Sequence, residues 1–192
     1  MIDAALLAAS INDRDGSNIR QFSEDVLGQA LVKSRSARDF NRMTADYEMF
    51  RELGTLSPLA ETQMAYFHSS LSQGRSEEAE AHFRRASEIV DDRLRPVIDA
   101  NLGCWLISND EFVEGFNLVK GLELPAGYQL CKYFGAMHVL GSDEFDLFVL
   151  ASRDEAEAAA SSKINFWLSK AQKVAVISRI RLVLADPVAV EP

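Results

Sequence analysis

Three stretches decide how this chain reads: Ser76-Glu77-Glu78, Asn109-Asp110-Glu111 and Ser142-Asp143-Glu144. Each begins 33 residues after the one before, and each is a small hydrogen-bonding residue followed by two acids. A Ser hydroxyl or Asn amide oxygen satisfies orphan N–H groups of a first helical turn, and the acids stand where the helix dipole is positive. All three stretches therefore predict helix starts.

Sliding the sequence by the same interval aligns more than the caps. Apolar residues fall together at Met64/Val97/Leu130, Ala65/Ile98/Cys131, Phe67/Ala100/Tyr133, Leu71/Cys104/Met137, Ala79/Phe112/Phe145 and Phe83/Phe116/Val149. The first four sets follow the spacing of one helical stripe and the last two that of a second, so each unit of about 33 residues reads as helix, turn, helix. Between them Ser70, Gly103 and Ala136 form a column that is always small, which lets two helix axes approach closely. Pro58, Pro96 and Pro125 stand near the starts of the three first helices, where a proline is tolerated. Outward from the repeat, residues 22–53 read as a further antiparallel helix pair, 1–9 as a short helix and 12–18 as a loop. Arg153 to Ala160 reads as a helix, and Ser161-Ser162 as the cap of a long terminal helix over 163–184. The expected fold is all-α, a right-handed array of antiparallel helix hairpins. It is expected as a single domain: residues 1–57 as N-terminal helices, 58–152 as three hairpins, 153–192 as capping helices with a short tail.

Gly74-Arg75-Ser76-Glu77-Glu78-Ala79 with Phe83, Ala86 and Ile89, and Asn101-Leu102-Gly103 with Phe112 and Glu114, resemble the tetratricopeptide repeat. The resemblance covers about 90 residues, from roughly 60 to 150; a degenerate repeat of that kind and another helical-hairpin solenoid both fit. It implies a superhelical, non-enzymatic scaffold whose concave groove holds a peptide or a partner helix. Small secretion chaperones built on this repeat are similar in length and acidity, which makes such a chaperone the expected function. The alternative is a regulatory or immunity-type inhibitor that binds a folded partner through its convex or terminal surface.

Composition narrows the classes further. Twenty basic against 29 acidic residues give a net charge of −9, which opposes binding to nucleic acid or to an anionic membrane. No stretch approaches the roughly 20 apolar residues of a membrane span, and an aspartate stands in the opening MIDAALLAAS where a signal peptide carries positive charge, so the expected location is cytoplasmic. No phosphate-binding loop, dinucleotide fingerprint, HExxH or nucleophile elbow is present, and no catalytic residue or cofactor is expected. His68, His82 and His138 are too far apart in the repeat for a shared metal, and Cys104 and Cys131 read as small buried hydrophobes.

Two features point to binding. The second stripe of the first helices carries His68, Asn101, Trp105, Phe134 and His138, a mixture of aromatic and hydrogen-bonding groups suited to a peptide groove. The same residues also fit packing beneath the terminal helix. The segment 163–185 holds Lys163, Lys170, Lys173, Arg179 and Arg181 and no acid, which leaves −14 for the rest of the chain. It reads as a capping helix or as a docking surface for a second copy, an acidic partner or a membrane. Within the core, Phe83, Phe116, Leu71 and Cys104 are expected to be buried.

Overall fold

The computed structural model describes residues 39–52, 57–71, 75–165 and 167–185. Among them every regular element is a helix: α1 Phe40–Glu52, α2 Pro58–Leu71, α3 Glu77–Ile89, α4 Arg95–Ser108, α5 Phe112–Val119, α6 Ala126–Val139, α7 Ser142–Ala151, α8 Arg153–Ser161 and α9 Lys170–Ala185. The readings of 1–9, 12–18 and 22–38 fall outside the described residues. The chain divides into two compact units between Ile98 and Asp99, where the sequence suggested one domain.

In the first unit, α2 and α3 form a closely packed hairpin. Proline opens α2, with the Ser57 hydroxyl accepting from the Ala60 N–H at 3.4 Å. Ser76 caps α3 as its sequence suggests, accepting from the Ala79 N–H at 3.2 Å. Ala79, Phe83 and Ala86 recur at i, i+4, i+7 and are fully buried, while Glu80 on the outer side pairs with Arg75 and Arg84.

The second unit is knit by one large apolar cluster. In α4, all eight residues from Ala100 to Ile107 are buried, the pattern of a helix covered on every side. It approaches α5 closely at two glycines. A Cβ on Gly103 would stand 2.9 Å from the Gly115 carbonyl oxygen, and one on Gly115 would stand 2.7 Å from that of Gly103. Gly103 thus performs the close approach expected of the small column, whereas Ser70 is exposed. Lys132 on α6 is almost wholly buried and is neutralised by Glu155 of α8 at 2.7 Å.

Several boundaries differ from expectation for local reasons. Asn109-Asp110-Glu111 leads into α5 as expected, with Glu111 as the residue before Phe112, but its first two residues also close α4. Asp110 adopts the left-handed conformation (φ 68°), and the N–H groups of Glu111 and Asp110 donate back to the carbonyls of Leu106 (2.9 Å) and Ile107 (3.2 Å). That is a helix-stopping turn, and Asn and Asp serve it for the same reason that they serve caps: their short polar side chains tolerate irregular backbone. At α7 the residue outside the helix is Gly141, whose N–H donates to Glu144 at 3.1 Å, so Ser142 is the first helical residue. The terminal helix begins at Lys170 and not at Lys163. Ser169 and Gln172 form a reciprocal cap there, Ser169 Oγ accepting at 3.3 Å from the Gln172 N–H and Gln172 Oε1 at 2.9 Å from the Ser169 N–H. Leu71 and Val97, aligned with buried positions in the repeat, are both about half exposed or more.

Candidate functional site

The densest polar constellation lies in the first unit, where α1, α2 and α3 meet. Glu61 is fully buried, its position on α2 being flanked by buried Ala60, Met64 and Ala65. Its carboxylate accepts from the Tyr47 hydroxyl of α1 and from His82 Nδ1 of α3, both at 2.6 Å, with Arg85 Nε 3.4 Å away. The carboxylate thereby holds the His82 proton on Nδ1. The Tyr47 ring packs edge-on against the His82 ring at 5.4 Å, and His68 stacks on the other histidine at 5.2 Å with only 16° between planes. Burial first, and then the Glu61 carboxylate, raise the Tyr47 phenol far above its ordinary range, so it remains a donor. Burial, with the second imidazole adding to it, holds His68 below the usual histidine value. A carboxylate-oriented imidazole is an acid–base arrangement in enzymes, but here its partners come from three helices and its carboxylate is sealed from water. The cluster joins the three helices, and is termed the joint.

Sequence reasoning did not single out Glu61, Tyr47 or His82 as partners. A usable sign was present: Glu61 and His82 are polar residues standing on the apolar faces Ala60/Met64/Ala65 and Ala79/Phe83/Ala86.

Of the five residues assigned to a groove, His68 stands in the first unit and Asn101, Trp105, Phe134 and His138 in the second. His68 belongs to the joint. Trp105 is 1% exposed, and Asn101 and Phe134 are buried as well. The reason is local: Asn101 Oδ1 is already occupied by the Tyr128 hydroxyl at 3.0 Å, and Phe134 packs against Phe112 at 5.7 Å. His138 is exposed; its ring lies flat on Phe112 at 4.0 Å and edge-on to Phe134 at 4.7 Å. Cys104 and Cys131 are buried free thiols, and burial, followed by its neighbour Cys104, pushes the Cys131 thiol well up. Among the described residues no group of three or more His, Cys, Asp or Glu is arranged to hold a metal ion.

No protein-family model, curated protein or solved structure matches this chain.

The basic terminal residues divide by role. Arg179 of α9 is an internal fastening, bonded to Asp146 of α7 with its guanidinium 5.6 Å above the Phe145 ring. Lys163, Lys170 and Arg181 are exposed and Lys173 is half-buried. On the same helix Val176, Ile180 and Val183 are buried, while Val174 and Leu182 are 58% and 61% exposed. No described helix is long and apolar enough to cross a membrane.

Proposed function

We propose that this chain is a non-enzymatic protein-binding module built of helix hairpins in a solenoid of the tetratricopeptide kind, and that it holds a helical or peptide segment of a partner. The observation that carries the reading is α9, which bears apolar side chains on both sides: Val176, Ile180 and Val183 inward, Val174 and Leu182 outward. Large apolar side chains exposed together on one side of a helix mark an interaction surface, and a partner supplies their cover. The joint at Glu61 supports a non-catalytic role, because its carboxylate is engaged by Tyr47, His82 and Arg85 and offers no open face to a substrate.

Secretion chaperone and inhibitor of a folded protein are the two forms of this function. Burial of Asn101, Trp105 and Phe134 together with the outward face of α9 favours engagement through the terminal surface. Affinity purification of the full chain from its native cells, followed by mass spectrometry, is expected to recover a stoichiometric protein. An exported protein indicates the chaperone and a folded toxin or regulator the inhibitor. Purification of the chain alone at every salt concentration would defeat the binding function.

A further inference from the structure

We infer that the outward face of α9 receives an acidic amphipathic helix of another protein; this rests on the protein-binding function proposed above and names the partner's chemistry. Lys170, Val174, Ser178, Arg181, Leu182 and Ala185 recur at helical spacing and are all exposed, so they share one side of α9. Val174 and Leu182, eight residues apart, stand about 12 Å from one another along the axis. Lys170 and Arg181 flank them. With Arg179 engaged by Asp146, four positive side chains of this segment, Lys163, Lys170, Lys173 and Arg181, form no ion pair among the described residues. Between 163 and 185 there is no acid to neutralise them.

The charge pattern selects among occupants. A nucleic acid would meet a chain of net charge −9. A membrane-surface helix turns its broad apolar side, usually with aromatic residues, toward lipid, whereas α9 turns its broad side inward and shows only Val174 and Leu182 outside. A second copy docking α9 on α9 would oppose like charges. Docking of α9 on the acidic body of a second copy is the remaining homotypic arrangement, and crosslinking distinguishes it by an adduct with the chain itself. An acidic helix with two apolar side chains about two turns apart meets Val174 and Leu182 and places its carboxylates against Lys170 and Arg181.

The test places the photo-crosslinker p-benzoylphenylalanine at Val174 or Leu182 of the full chain in its native cells, with Val113 of α5, also exposed, as the comparison position. The expected result is an adduct at 174 and 182 with a protein segment rich in Asp and Glu and apolar at helical spacing. Its yield should fall about tenfold in the Lys170→Glu/Arg181→Glu variant, and likewise in the unmutated chain when salt is raised. The salt arm needs no substitution and stands even if the double variant folds poorly. An adduct with phospholipid, with nucleic acid, with a second copy, or with a neutral or basic segment would overturn the inference. So would adducts at Val113 alone, although protein binding itself would then stand. Absence of adducts at all three positions, together with absence of any co-purifying protein, would overturn both.

Discussion

In the unit that ends at Ile98, three helices meet on a buried carboxylate; in the unit that begins at Asp99, α4 and α5 cross on two facing glycines within one large apolar cluster. The first arrangement is directional: each of Tyr47 and His82 donates to one oxygen of Glu61, and loss of a single atom leaves buried donors unmatched. The second is volumetric, and responds to added or removed carbon whatever its polarity. The two units should therefore fail under different perturbations.

Glu61→Ala is expected to have the largest effect, destabilising the first unit by about 3–5 kcal/mol because it strands His82, Tyr47 and Arg85. Hydrogen exchange followed peptide by peptide should show lost protection in α1–α3 and little change in α6–α9. Equal loss in both units would break the comparison. Phe116→Ala is its mirror in the second unit, where the nearly buried ring (5% exposed) is worth about 3–5 kcal/mol, read as a lowered unfolding midpoint with the loss confined to α4–α9. Next comes Gly103→Ala, where overpacking against Val119 and the Gly115 carbonyl should cost about 1–3 kcal/mol in a denaturant titration.

The smallest effect is set by pH. His68 is held below the usual histidine value in the folded chain, so as pH falls the unfolded chain binds the proton first. The contribution is thus fully present above about pH 6.5 and is lost as pH falls below it. His68 stacks on His82, with Glu78 opposing the shift, and its partial exposure keeps the effect modest. His68→Gln should flatten the pH dependence of α2–α3 exchange, while His138→Gln, in the other unit, should leave it as it was. If His138→Gln flattens it instead, the sensitive imidazole is not in the joint.

The all-helical class was legible because Ala79/Phe83/Ala86 and Leu130/Tyr133 repeat at helical spacing wherever their helices are placed. The small column was legible at Gly103 because only a close crossing explains a glycine on an apolar stripe. What could not be read was which side of each stripe would be covered. Trp105 and Leu71 both lie on helical stripes, yet one is buried and the other 56% exposed, and that depends on packing between helices distant in sequence. Asn109-Asp110-Glu111 shows a second limit, since the left-handed Asp110 closes α4 while Glu111 opens α5, and the residue types alone do not separate the two events. The terminal helix was placed at the serine pair 161–162, whereas its cap is made by Ser169 and Gln172. The joint escaped notice for a different reason. Its members are polar, and a pattern sought in apolar residues passes over a glutamate that is buried because of its partners.

The glycines also determine which mutational histories are open to this chain. At Gly135 the obstacle to a Cβ is side-chain carbon, Ile107 Cδ1 at 2.8 Å and Cγ1 at 3.2 Å, so a shorter residue at 107 would make room. At Gly103 and Gly115 the obstacle includes backbone, the partner's carbonyl oxygen in each direction and the Ile107 nitrogen at 3.0 Å from a Cβ on Gly115. No second-site change of side chain removes a carbonyl oxygen. A screen for intragenic suppressors should thus recover compensations for Gly135→Ala, prominently at Ile107, and return only true revertants for Gly103→Ala and Gly115→Ala.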